Sequence, residues 1–188
     1  MTSSAGALAI AAGSKHLPGV IYYWESVPVK VRFQLDPSDW HGHGSETLWA
    51  EPITQGNASV FVIHNSPFFA RSINNCDVVS VSRTVDGTVF DFVQVVERGG
   101  HSTYMLLVAP TETRFRSYWD LLQSMGCSYE SMHIKLSLGT RLLYSVDVPP
   151  SANIYDVYDI LERGEAAGVW KFQEGYAHVP GRQTGSNA

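Results

Sequence analysis

Between Val29 and Leu35 the chain alternates Val29, Val31, Phe33 and Leu35 with Lys30, Arg32 and Gln34. A period of two sends successive side chains to opposite faces, so this segment reads as a half-buried strand. The runs "TLWAEPI", "SVFVIHN", "DVVSVSR" and "TVFDFVQVVE" follow in the same grammar, and Asp86-Gly87 forms a hairpin turn between the last two. "DPSDWHGHGSE" and "TQGNA" are turn-rich connections. Five short strands with no helix between them predict a small N-terminal β-barrel or rolled sheet over residues 29–99. In "SPFFARSINNCD", Pro67 favours a turn, and Phe68 and Phe69 are expected to plug one end of the barrel.

Beyond Gly99-Gly100 the period changes. "STYMLLVA" is a strand, after which Thr111 is expected to cap a helix, with Glu112 suiting its dipole and Gly126 ending it. Phe115, Tyr118, Trp119 and Leu122 fall on one apolar stripe of that helix. "SYESMHIKLS" and "RLLYSVDVP" are two strands around Leu138-Gly139-Thr140. Asn153 then caps a second helix carrying Ile154, Val157, Tyr158 and Leu161, which Gly164 and Gly168 are expected to break before a last strand, "VWKFQEGYA". The order β-α-β-β-α-β over residues 100–177 predicts a ferredoxin-like (split βαβ) unit, making the whole chain α+β. Residues 1–28 and 178–188 read as flexible tails; "ALAIAA" lacks the preceding positive charge and the length of a signal peptide.

Composition narrows the function classes. The 188 residues are 44% hydrophobic, 12% aromatic and 16% charged, which is ample for a packed core. The formal net charge is −5, and the basic residues are scattered singly, which argues against a nucleic-acid surface, so no nucleic-acid partner is expected. No window approaches the apolar run needed to cross a bilayer, so no membrane role is expected. Cys76 and Cys127 lie far apart without metal-binding spacing and read as two reduced thiols of a cytoplasmic protein. Nucleotide-binding loops and the H-E-x-x-H pattern are missing, so no cofactor is implied.

The combination "LWAEPI", "HNSPFFARSINNCDVVSV" and "VVERGGHSTYMLLV", followed by "YSVDVPP" and "ERGEAAGVWKFQEG", resembles the uncharacterised bacterial DUF4265 family, known only as a domain of unknown function. The resemblance runs from about Val29 to Tyr176, and its most specific pieces are N-x-P-F at Asn65–Phe68 and G-H-S-T at Gly100–Thr103. The loop "DWHGHGSETLW" departs from it through its two histidines. It implies a bacterial, soluble protein and supplies no activity.

"VVERGGHSTY" is the most chemically suggestive stretch. In a two-residue hairpin turn at Gly99-Gly100, Glu97 opposes Ser102; with Gly100 in a bulge, Glu97 opposes His101 and can orient its imidazole as a general base. Ser102 or Thr103 would then be the nucleophile, although neighbours in a strand point apart and the elbow pattern G-x-S-x-G is absent. A polar inter-domain corner is the plainer reading. His41 and His43 in "HGHGSE" are an alternative metal pair, with Glu46 beside them and His64 and Cys76 available only if the fold brings them close; a structural zinc wants four ligands. Asn65, Phe68, Phe69, Arg71, Arg98 and His101 are the candidate binding residues, the arginines being suited to a carboxylate or phosphate. Trp49 and Trp119 are expected in the core, whereas Trp24 and Trp40 mark contact surface.

Together these features favour a binding or regulatory protein without catalysis, monomeric or homodimeric, that recognises a protein partner or small ligand. The alternative is a hydrolase or lyase using Glu97 and His101 near the Gly99-Gly100 corner.

Overall fold

The structure is a computed structural model that describes residues 27–55, 58–85, 89–137 and 139–179. Trp24, the Asp86-Gly87 turn and most of both tails lie outside the described residues. Eleven elements follow one another: β1 (Val29–Gln34), β2 (Ser45–Gln55), β3 (Ala58–Ile63), β4 (Val78–Arg83), β5 (Val89–Glu97), β6 (Ser102–Val108), α1 (Phe115–Ser124), β7 (Ser128–Leu136), β8 (Gly139–Val148), α2 (Ile154–Ala166) and β9 (Trp170–Tyr176). The protein is α+β.

Strands β1 to β5 pair in chain order, and β5 returns to lie parallel to β1 with Val31 against Phe90, closing a five-stranded ring. The alternation read in β1 places Val31 and Phe33 inside, where they meet Leu48, Ala50, Phe61, Ile63 and Val79. Ala70 and Ile73, from the β3–β4 connection, complete this core. Trp49 is not part of it: the residue is 50% exposed, because Leu48 and Ala50 take the inward positions of β2 and leave Trp49 outside beneath the Lys30 ammonium.

The remaining strands form an antiparallel sheet in the order β7-β8-β6-β9. Tyr104, Leu106, Val108, Val146, Val148 and Trp170 point to one face and pack against Trp119 and Leu122 of α1 and Val157, Ile160 and Leu161 of α2. The other face presents Met105, Ile134 and Leu143, and it is here that Phe68 and Phe69 pack. They therefore cover the sheet and do not plug the ring, as their adjacent positions in a turn had suggested. The Glu46 carboxylate aims them, accepting hydrogen bonds from the backbone N–H of Phe68 (2.7 Å), Phe69 (3.0 Å) and Ala70 (2.8 Å). Ser145 Oγ donates to the Pro67 carbonyl across the same contact at 2.6 Å.

Both helices differ from expectation at one end. α1 begins at Phe115 and not at Thr111, and Arg114 occupies its N-cap without a side-chain cap bond. Glu112 accepts from the Arg114 N–H and guanidinium at 2.7–2.8 Å, so its charge is engaged in a local turn before the helix starts. α2 is capped by Asn153 as read, but it runs through Gly164, which is buried against the Trp170 indole. Chain reversal waits for Gly168, whose φ of +73° suits glycine.

Candidate functional site

The connection of residues 64–77 meets the segment Arg98–His101 where the ring hands the chain to the sheet. Asp77, wholly buried, organises this corner by accepting from Asn74 N (3.0 Å), Gly99 N (2.9 Å) and Arg98 Nη1 (2.8 Å). Burial pushes its carboxyl above the usual range, against the pull of those three donors. Gly99 passes so close to Cys76 that a Cβ would stand 2.4 Å from the Cys76 carbonyl. Cys76 itself has φ of +64°, a left-handed backbone that side chains rarely adopt, held by its N–H donating to the Ile63 carbonyl at 2.8 Å.

His101 has a carboxylate partner, but it is not Glu97. β5 and β6 belong to different sheets, so no hairpin forms, and Glu97 faces Val78 in an exposed position of β5. The partner is Asp147 of β8, whose Oδ1 and Oδ2 lie 2.8 and 3.1 Å from His101 Nδ1. Register explains the meeting: Thr103 pairs with Asp147 across β6 and β8, which brings the carboxylate level with the start of β6. Both side chains are nearly enclosed, at 13% and 14% exposure. Burial alone would lower the imidazole pKa; hydrogen bonds and charge from Asp147 and from the Cys76 thiol outweigh it and push it up to about 9. Asn74 Nδ2 donates to the His101 carbonyl at 2.6 Å, fixing the residue from its backbone side. Ser102 is turned away, its Oγ accepting from His178 N at 2.8 Å.

The candidate binding residues spread over three places. Arg98 is committed to Asp77 and stacks over the Tyr176 ring. Asn65 accepts from Trp49 N at 2.8 Å and lines a polar cavity of about 170 Å³ with Asn75, Ser145 and Asp147. Arg71 pairs with Asp39 at 2.9 Å, beside Phe69 and the histidine loop. There His41 and His43 stack on each other and tilt against Phe69. His41 Nδ1 accepts from His43 N at 3.0 Å, and burial lowers the His41 pKa. Among the described residues no group of three metal-ligating side chains converges.

Trp40, from the same loop, is fastened over the second face of the sheet by an Nε1 hydrogen bond to Gln173 Oε1 at 2.9 Å. Beneath and beside it runs a cavity of about 520 Å³, with Leu107 and Leu136 as apolar wall, Lys135 and Arg141 as cationic wall, and Asp39 also on its lining. A smaller cavity of about 160 Å³ continues under Trp40 to Met105, Leu143 and Lys171.

A model of the domain of unknown function DUF4265 matches residues 46–172. The chain belongs to this family. A solved structure with similar architecture is that described as "Novel crystal structure of a hypothetical protein from Neisseria gonorrhoeae", 18% identical, covering 84% of this chain and 99% of that one, at a TM-score of 0.61. That likeness concerns the fold alone. No curated protein matches the chain. No helix among the described residues is long and apolar enough to cross a membrane.

In this DUF4265 protein, then, sequence reasoning singled out His101, Trp40 and, as a conditional metal ligand, Cys76, but not Asp147, Lys135 or Arg141. Asp147 carries a weak signal in "YSVDVPP", a lone carboxylate in an apolar strand. The αL conformation of Cys76 has a faint one, since it follows Asn74-Asn75, residue types that favour turns.

Proposed function

We propose that this DUF4265 protein binds a small anionic ligand with a flat apolar body, in the cleft between the Trp40 loop and the second face of the sheet. One observation carries the reading: Lys135 and Arg141 flank a cavity of about 520 Å³ whose other walls are Leu107, Leu136, Ser137 and the loop from Asp39 to Gly42, with the Asp39 carboxylate held by Arg71. That size falls within the range typical of small-molecule sites, which lie preferentially between packed units and combine apolar walls with few charged groups. In a chain of net charge −5, two cations set against an apolar wall favour an anion. Neither has a carboxylate partner among the described residues; Arg141 donates only to its neighbour's carbonyl, Thr140 O, at 3.0 Å. Trp40 supplies a stacking surface, 39% exposed and already oriented.

The ring is read here as a small barrel and the sheet with its helices as a ferredoxin-like unit, meeting at Gly99-Gly100. Supporting this are the closure of β5 onto β1 and the fully antiparallel order β7-β8-β6-β9.

Titration of the full chain with a panel of aromatic carboxylates and aryl phosphates tests the reading, followed by tryptophan fluorescence and calorimetry. Binding is expected in the micromolar to millimolar range, weakened about tenfold or more in Lys135→Ala and in Arg141→Ala, as loss of one charge-assisted contact implies. No binding by any member, or binding untouched by both variants, overturns it.

A further inference from the structure

The cleft lies at the Lys135–Ser137 end of β7, and a second site lies at the other end of the same strand. On the face that receives Phe68 and Phe69, alternation makes β7 present Ile134, Met132, Glu130 and Ser128 in turn. By the same rule β8 presents Leu143, Ser145 and Asp147, so the face is apolar at one end and polar at the other. Register pairs Glu130 with Ser145 and Ser128 with Asp147, which sets each pair of Cβ atoms about 5 Å apart. Asn65, Ser66 and Asn75, from the β3–β4 connection, close over this polar end and leave the cavity of about 170 Å³.

The walls of this cavity offer acceptors in excess of donors. Ser145 gives its proton to the Pro67 carbonyl at 2.6 Å, so its Oγ faces any further partner as an acceptor. Asp147 accepts from His101 Nδ1 at 2.8 Å and from Asn75 Nδ2 at 3.5 Å, and with the imidazolium it forms a unit of no net charge. Glu130 stands exposed at the mouth, and among the described residues no Lys or Arg lines the cavity to balance it. Burial and the charges of Glu46 and Asp147 raise the Glu130 carboxyl above its ordinary range, the mark of a negative field. Ser66, also on the wall, is 4% exposed, and its Oγ has no hydrogen-bond partner among the described residues. A buried hydroxyl without a partner costs stability and leaves a bond for a group that the protein does not itself supply. The carboxylates and His64 do not converge as a metal-ligating group of three among the described residues. Acceptors spread in this way suit the separate N–H donors of an organic cation.

We propose that this cavity binds the ammonium group of a small primary amine, with Glu130 as its charge partner and Ser66, Ser145 and Asp147 as its hydrogen-bond acceptors. The site is independent of the cleft, which takes an anion between Lys135 and Arg141 at the far end of β7.

Titration of the isotope-labelled full chain with ethylammonium chloride, ionic strength being held constant with sodium chloride, tests this by amide NMR shifts. The amides of Ser66, Asn75, Glu130 and Ser145 should move and saturate with a Kd on the order of 1 mM, the strength open to so small a ligand. Tetramethylammonium, which carries the charge without an N–H donor, should bind about tenfold or more weakly. Glu130→Gln, at an exposed strand position, should weaken ethylammonium about tenfold and leave the melting temperature unchanged. Ser66→Ala should weaken it about fivefold while the melting temperature holds or rises, because the lost hydroxyl has no protein partner. Lys135→Ala, in the cleft, should change nothing, so failure here and failure of the cleft reading are distinguishable. Equal shifts with ethylammonium, tetramethylammonium and sodium, no saturable shift at these amides, or binding unmoved by either Glu130→Gln or Ser66→Ala overturns the proposal.

Discussion

Asp147 Oδ1 stands 2.8 Å from His101 Nδ1 although 46 positions separate them in the chain. The contact ties the start of β6 to β8 within the sheet, and Asn74 Nδ2, from the β3–β4 connection, reaches across to the His101 carbonyl at 2.6 Å, so the acid–base pair sits where the two halves of the molecule meet.

This pair should make stability fall as pH rises. The folded imidazole is held up at about 9 against an ordinary value of 6.5, so its contribution is complete below pH 6.5 and is lost as pH climbs through 9. The shift corresponds to on the order of 3 kcal/mol at most. Urea unfolding at pH 6.0 and pH 9.5 should show a drop of that order beyond the background of other groups, and Asp147→Asn should flatten most of it. An equal pH dependence in wild type and variant would sever the link.

Gly99→Ala should be poorly tolerated. Its new methyl group would stand 2.4 Å from the Cys76 carbonyl carbon and oxygen and 2.7 Å from the Cys76 Cβ, so backbone must move. A cost of about 1–3 kcal/mol is expected from such overpacking, read as a lowered melting temperature. Cys76 should also gain or lose alkylation rate as its position shifts.

At Gly164 two effects oppose each other. Alanine in a helix interior gains about 1 kcal/mol over glycine. Here its Cβ would lie 2.2 Å from Trp170 Cζ2, and Trp170 is pinned by an Nε1 hydrogen bond to the Leu161 carbonyl at 2.9 Å. The collision should win, and Gly164→Ala should destabilise the protein in thermal unfolding.

Glu46→Ala removes the acceptor of three backbone N–H groups at Phe68, Phe69 and Ala70. A loss of about 3 kcal/mol is expected, because each charge-assisted bond carries about 1.5–3 kcal/mol and the amides are left partly shielded from water. Trypsin should then cut after exposed Arg71 many times faster than in the wild-type protein.

Local patterns were legible wherever one face of an element decides its fate. β1 shows its inward Val31 and Phe33 by alternation, and α2 announces itself through Asn153, whose side chain accepts from Tyr155 N at 3.1 Å. Alternation failed at Trp49, whose size argued for burial although its neighbours Leu48 and Ala50 hold the inward register. The start of α1 was misread because Thr111 and Glu112 look like a cap, yet Glu112 spends its acceptors on Arg114. The site was half visible. His101 stood out by composition, whereas its partner depended on which strand lies next to β6, a choice made by packing over a long stretch of chain. Phe68 and Phe69 were expected to plug the ring, but the surface they partly cover is built from residues far downstream in sequence.

The ring is closed by its earliest strand against its latest, with Lys30 paired to Val89. A ribosome that has released only the first four strands therefore displays a curl with bare amide edges on β1 and β4, which invite pairing with another chain. Such long-range closure is slow compared with helix or hairpin formation. Translation must deliver β5 before this half of the molecule can seal itself.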